Sequence, residues 1–214
     1  MKKALVLTSC ITFLLGSTAL AAPITDFDKS QTLLDLGFIN SELETSDSDG
    51  STDFDSKTNF DLGITKALSD KVALQYKYQK AKSDDILDVD ADIQQFNVIY
   101  KLNNNANAFV GLNRLAGDVS ALGYKADLDT MTKFQIGITG HQAFTDKLTG
   151  WATIAGGNDN NSYEIGLSNK LSNNADLNIF YRYTKFSDVE FDDVSGYDFD
   201  AKVKGFGFGV TVKL

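Results

Sequence analysis

The stretch GFGFGVTVKL, residues 205–214, closes the sequence in strict alternation, with Phe206, Phe208, Val210 and Val212 on one parity and Gly205, Gly207, Gly209 and Thr211 on the other. A period of two places the apolar side chains on one face of a β-strand and the small or polar ones on the other. Leu214 continues the apolar row, so the final residue still reads as strand. A terminal strand with no tail exposes an edge unless another strand pairs with it. In a closed barrel the last strand pairs with the first, and closure is the prediction drawn from this stretch.

Working outward, FDLGITKAL (60–68) and YEIGLSNKL (163–171) share with FGFGVTVKL (206–214) an aromatic first residue, Gly at the fourth place and Leu at the ninth. FQIGITGHQ (134–142) keeps the aromatic start and the Gly, and FNVIYKLNN (96–104) keeps the aromatic start and the alternation. Short polar breaks follow four of these units: SDK at 69–71, NNNAN at 103–107, GHQAFTDK at 140–147 and SNNA at 172–175. A second alternating run follows each break, such as Val72, Leu74, Tyr76, Tyr78 or Leu177, Ile179, Tyr181, Tyr183, which is the pattern of hairpins with tight turns.

The connections at the other ends are longer and mostly acidic, at 45–56, 83–91, 116–127 and 186–201, with a short GGNDNN at 156–161. They read as solvated, flexible loops. Short turns at one end and long loops at the other are the layout of a transmembrane β-barrel. The expected fold is an all-β, closed antiparallel barrel of ten strands, the first near Thr32–Leu43, with eight as the alternative count. The run Leu148–Ala155 leaves the direction of Trp151 open between an aromatic belt and the lumen.

Composition agrees with this reading. The 214 residues contain one Pro, Pro23, and 17 Gly, and a chain of paired strands has little place for a residue that lacks a ladder donor. Residues 1–21 read as a secretory signal: Lys2 and Lys3, an apolar stretch from Ala4 to Leu15, then Ala19-Leu20-Ala21 at the cleavage site. The barrel domain is then 22–214. Cys10 lies in the signal, so the exported chain has no thiol for a disulfide or a metal. Loss of Lys2 and Lys3 carries the formal charge from −9 to −11, which excludes a nucleic-acid partner of the usual basic kind. No stretch of the exported chain has the roughly 18 apolar residues of a spanning helix; a membrane location requires a barrel.

With these features the sequence resembles the small bacterial outer-membrane β-barrel proteins of the opacity-type and porin-like kind, over about the whole exported chain. Gly209, Val212 and Leu214 resemble the C-terminal signal by which the outer-membrane barrel insertion machinery recognises such proteins, with Leu where many members end in Phe. The resemblance implies export to the outer membrane of a Gram-negative cell, with its lipid and lipopolysaccharide as surroundings. In that setting Phe60, Phe96, Phe134, Tyr163 and Phe206 stand at the loop-side ends of their strands as one interfacial girdle.

The opposite face is the expected lumen. Asp61, Lys77, Lys101, Glu164 and Arg182 fall on it, with Gln75, Gln79, Gln95, Asn97 and Asn178. They read either as the lining of a channel for small hydrophilic solutes or as a plug of mutually satisfied side chains. Gly63, Gly137, Gly166 and Gly209 on the same face leave room or permit bending.

No catalytic set is assembled. His141, the single histidine, sits in an inner turn, away from the rim where a His-based outer-membrane enzyme works. No metal or cofactor is expected: a calcium loop counted from Gly50 puts Thr45 at its first place and Ser56 at its last. Phe54, Phe191, Tyr197 and Phe199, set among the acids, read as packing residues of the loops. Three functions stay open: the channel, a non-channel surface or adhesion barrel presenting acidic loops, and a soluble periplasmic ligand-binding barrel of lipocalin type with its apolar face inside.

Overall fold

The computed structural model describes residues 27–48, 50–83, 88–121, 124–192 and 194–214; the signal read at 1–21 lies outside them. Ten strands run in chain order: β1 (Thr32–Asp47), β2 (Gly50–Ala67), β3 (Val72–Lys82), β4 (Asp88–Asn103), β5 (Ala106–Ala121), β6 (Tyr124–Ala143), β7 (Leu148–Gly157), β8 (Asn160–Lys170), β9 (Ala175–Phe191) and β10 (Val194–Lys213). Each pairs antiparallel with its neighbours in sequence, and β10 pairs with β1 to close the barrel. The expected count of ten holds. Closure runs to the last residue, since Leu214 N–H donates to Thr32 C=O at 2.8 Å and Thr32 N–H donates back at 3.4 Å.

Four short turns and both ends of the strand array mark the inner end of the barrel, and the five hairpins β1–β2, β3–β4, β5–β6, β7–β8 and β9–β10 mark the outer end. The apolar rows point out, as expected: Phe206 is 73% exposed and Phe208 55%, while Gly205 and Gly207, which alternate with them, are buried. Outward apolar residues run from Phe60 to Leu68 on β2 and just beyond it, and from Phe206 to Leu214 on β10. Each row is the length that crosses a bilayer in a tilted strand, about 9–11 residues.

The strands are longer than this band. β2 has 18 residues, and β6 and β10 have 20 each, so much of each continues beyond the girdle. Most of the segments expected as flexible acidic loops are therefore strand: β1 reaches Asp47 rather than Leu43, β5 and β6 cover 116–121 and 124–127, and β9 and β10 cover 186–191 and 194–201. The reason lies in the alternation. In DVDADI, residues 88–93, Asp88, Asp90 and Asp92 face out while Val89, Ala91 and Ile93 are buried inside.

Bulges keep that pattern aligned. The β1–β2 register slips between Ser41↔Lys57 and Leu43↔Phe54, and Phe54 turns inward as a result. A similar slip between Leu115↔Met131 and Gly117↔Leu128 keeps both Leu128 and Met131 inside.

The outer half is also narrower. β7 and β8, of 10 and 11 residues, end at Gly157 and Asn160, and beyond them β6 meets β9 directly, with Leu128 opposite Phe191 and Asp192 N–H donating to Asp127 C=O at 3.1 Å. Ten strands surround the lumen inside the membrane band and eight continue past it. On the other side, β2–β3 pairing stops at Asp61↔Gln79, so among the described residues the outer part of β2 is paired with β1 alone.

The inward glycines make space for rings. A Cβ on Gly166 would sit 2.6 Å from the Trp151 indole, and one on Gly207 would sit 2.3 Å from the Phe180 ring. Trp151 therefore points into the lumen, 4% exposed, and packs with Ile39 and Phe180.

Candidate functional site

The lumen is layered. Nearest the inner end, Phe27, Leu33, Ala67, Ala73, Ile99, Phe109 and Ala155 form an apolar cluster. The middle of the membrane band holds a polar slab, and the outer half holds a second, larger apolar cluster.

The slab centres on Arg182 of β9. Its guanidinium binds Asp61 of β2 through both terminal nitrogens, at 2.6 and 3.3 Å, and Gln79 of β3 at 3.0 Å. Its Nε donates to Glu164 of β8. Lys77 of β3 completes the set with Nζ 3.2 Å from the same Glu164 carboxylate oxygen. Two cations and two anions thus meet across the barrel, and Asp61, Glu164 and Arg182 are each under a tenth exposed. A planar guanidinium bound at both edges is the arrangement that best offsets the desolvation of buried charge. The Arg182 cation also lies 4.9 Å from the Phe180 ring centroid, two residues along the same inward row.

Hydrogen bonds carry the slab around the wall. Trp151 Nε1 donates to Ser168 at 3.1 Å, Ser168 to Asn178 at 2.5 Å, Asn178 to Thr211 at 2.8 Å, and Thr211 to Asp35. A second chain runs from Gln135 to Asn97 at 2.8 Å, Asn97 to Gln75 at 3.1 Å and Gln75 to Thr65 at 3.4 Å. Gly111 lies between Gln135 and Asn97 in the register, and a Cβ there would come 2.2 Å from the Asn97 side-chain oxygen. Thr139 and Thr153, 2.9 Å apart, join β6 to β7. A cavity of about 40 Å³ beside Arg182, Asp35 and Trp151 has room for roughly one or two waters.

Four of the five charged residues read as lumen-facing, Asp61, Lys77, Glu164 and Arg182, are joined in this one cluster. Lys101 is not in it; it lies further toward the inner end than Gln95, the register partner of Lys77, and pairs with Asn107. His141 is in the last part of β6 rather than in a turn, opposite Trp151 in the register, with its N–H bonded to Asn105 C=O at 2.9 Å. Gly209 lies opposite Gly37 and Asn178, Val212 opposite Leu34 and Ala175, and Leu214 is 72% exposed on the outward row.

Beyond the girdle the polarity of the two faces reverses. Along β10, outward Phe208 and Phe206 give way to Lys204, Lys202 and Asp200, while inward Gly207 and Gly205 give way to Val203, Ala201 and Phe199. The outer surface there is laced by ion pairs: Lys202 with Glu44 at 2.6 Å, Lys204 with Glu44 at 3.0 Å and Glu42 at 3.2 Å, Lys80 with Asp90 at 2.9 Å, and Lys185 with Asp200 at 2.6 Å. Hydrogen bonds from Lys202 and Lys204 hold the Glu44 carboxyl below the usual carboxylate range and raise both lysines in return. Burial pushes the Asp90 carboxyl up, but bonds from Lys82 and Lys80 outweigh it and leave it lowered.

Inside this charged sleeve lies a cavity of about 500 Å³, walled by Leu43, Phe54, Val89, Ala91, Leu115, Leu128, Phe186, Phe199 and Val203 among others, with Glu44, Thr45, Ser46, Asp47, Ser51 and Thr52 around its mouth. Phe191 and Phe199 face each other there at 5.3 Å. Phe54 and Phe199 are packing residues, as expected; the side chain of Tyr197 lies outside the described residues. The sequence reading did not foresee this cup. Its signal was present in the inward row Val89, Ala91, Ile93, which stays in phase with Gln95 and Asn97 while changing from polar to apolar.

A closed antiparallel barrel with an apolar belt outside, aromatic residues along its outer edge and a hydrogen-bonded polar interior is an integral outer-membrane β-barrel. The chain belongs to the outer membrane protein beta-barrel domain family, whose family model matches residues 10–213. It is accordingly a protein of the outer membrane, surrounded by lipid and lipopolysaccharide, and the soluble periplasmic reading is set aside.

Among solved structures it is similar to the outer membrane protease OmpT of Escherichia coli, at 11% identity and a TM-score of 0.55 over 87% of this chain and 97% of that one. It is also similar to Neisserial surface protein A, at 18% and 0.45 over 86% and 97%, and to the attachment invasion locus protein Ail of Yersinia pestis, at 13% and 0.42 over 87% and 99%. At such identities the likeness is one of fold. No curated protein sequence matches the chain.

Proposed function

We propose that this protein is a non-conducting surface barrel, anchored by its membrane band and projecting its acidic outer half above the lipid. The observation that carries this reading is the bridge from Asp61 and Gln79 on one side of the lumen through Arg182 to Glu164 and Lys77, which occupies the cross-section at the level of the band. A hydrophilic solute could pass only by parting these buried ion pairs. We assign no catalytic role; His141 lies at the inner end with its backbone held in the ladder.

The second reading is a small channel for hydrophilic solutes lined by Asp61, Lys77, Lys101, Glu164 and Arg182. The polar cavity beside Arg182 favours it, and it requires the cluster to open. Conductance across a planar bilayer separates the two. The expected result is a silent wild-type barrel and an open one when Arg182→Ala and Lys77→Ala are combined; steady single-channel current from the wild type would favour the channel.

The proposal includes delivery. Residues 1–21 are removed on export, and Gly209, Val212 and Leu214 present β10 to the insertion machinery, supported by the outward position of Leu214 at the inner end. Leu214→Asp should lower the yield of heat-modifiable barrel in outer-membrane fractions, and an unchanged yield would remove that role.

A further inference from the structure

We infer that the cup in the outer half is a binding site for one small, uncharged, apolar molecule, a hydrocarbon or a single-chain alcohol or ester. Nothing in the sealed-barrel reading requires such a site. The cup is about 500 Å³, within the roughly 300–1,000 Å³ of small-molecule pockets. It is built where β6 closes on β9, so that β7 and β8 drop out of its wall and β1, β2, β4, β5, β6, β9 and β10 line it.

The chemistry of the occupant follows from the lining. The walls are Leu, Val, Ala and Phe side chains, and the polar residues are confined to the mouth. Among the described residues no cation lines the cup, and Glu44 and Asp47 are at its mouth. The lysines at this height, Lys202 and Lys204, are bound to Glu44 and Glu42 in the outer ladder. A carboxylate or sulfate head would leave water for apolar walls without a cationic partner among the described lining residues, so the site selects against anions. Below the cup, Ser41 and Asn59, bonded at 3.3 Å, begin the polar floor that ends the apolar path.

The floor also separates this site from the lumen. Binding reads the outer cup and conductance reads the slab, so each result can fail without the other.

The test uses the full barrel in lipid nanodiscs, with methyl groups and Phe rings labelled for NMR, titrated with 1-dodecanol and separately with dodecanoate. Saturable shifts are expected for Leu43, Leu115, Leu128, Phe186 and Val203 with the alcohol, at least ten-fold tighter than with the acid. Ala91→Phe, which fills the cup from its wall, should abolish them. Should that variant not fold, Val119→Phe at the same cavity takes its place. The inference is overturned if those residues do not shift, if outward Leu62 and Ile165 shift in proportion so that the alcohol is only partitioning into lipid, if the acid binds as tightly, or if the folded filling variant still binds.

Discussion

The two halves of this barrel use one backbone and opposite rules. In the inner half, Phe208, Ile165 and Ile136 face out, and Arg182, Gln135 and Asn97 face in. In the outer half, Lys204, Lys80 and Asp92 face out, and Val203, Phe186 and Leu115 face in. The ladder runs on without interruption through Gly205, so hydrogen bonding does not distinguish them. What changes is the medium outside. Hydrocarbon accepts no charge and water gains nothing from an exposed Leu, so the outward row follows the solvent. The inward row takes what remains. In the membrane the core must be polar enough to satisfy itself, and above it the interior becomes the hydrophobic core of what is locally a water-soluble barrel.

That contrast can be broken most severely at Arg182. Arg182→Met leaves Asp61 and Glu164 buried without their common partner and should cost about 3–5 kcal/mol, seen as a lower urea midpoint in detergent micelles. A loss under about 1 kcal/mol would mean that the cluster is hydrated and the slab is not a seal.

The next largest effect compares one substitution at two heights on the outer wall. Leu167→Lys, midway along the outward row from Tyr163 to Leu171, places a charge in the lipid band and should cost about 2–4 kcal/mol. Thr58→Lys, outward on β2 beyond the girdle residue Phe60, should stay within about 0.5 kcal/mol of wild type. Equal costs for the pair, measured by the same refolding titration, would show that the girdle does not mark the boundary.

A smaller effect is expected at Trp151. Trp151→Phe keeps a ring beside Phe180 and removes the donor to Ser168, at a cost of about 0.5–1.5 kcal/mol. In the wild type the single tryptophan should resist quenching by lipid-borne bromine, since it faces the lumen. Strong quenching by brominated acyl chains would place the indole outside.

The smallest effect is the acid response of the outer ladder. The carboxyl of Glu44 is held low by Lys202 and Lys204, so its contribution is present above the unfolded-state value and lost as pH falls through the lower folded-state one. The raised Lys204 contributes fully below the ordinary lysine value and loses that contribution as pH rises through its folded-state value. Amide exchange along β1 and β10 near Glu44 and Lys202 should therefore accelerate at both extremes of pH while the membrane band stays protected. Such exposed pairs are worth about 0.2–1 kcal/mol each. Uniform acceleration along the whole of β10 would deny the outer half its separate stability.

Much of this was legible from alternation alone. The repeat beginning at Phe60, Tyr163 and Phe206 placed the strands and their faces, and it put Asp61, Lys77, Glu164 and Arg182 on one side of the sheet. Their meeting was not legible, because a period of two gives the face of a residue and neither its height nor its bearing around the axis. Lys101 shares their face and stands apart for that reason. The acidic segments were misjudged by composition. DVDADI holds three aspartates and is still a strand, since its Val, Ala and Ile alternate with them in phase with the rest of β4.

The amino-acid sequence by itself determined which residues share a face of each strand, because the alternation of side chains along a strand is local geometry. Only the tertiary structure decided that Arg182 would reach Asp61 across the lumen, that Trp151 would turn inward into the space left by Gly166, and that β6 would close on β9 to make the cup. Each of these depends on the shear and circumference of the closed sheet, which bring together residues from strands far apart in the chain, and no spacing along a single strand records those distances.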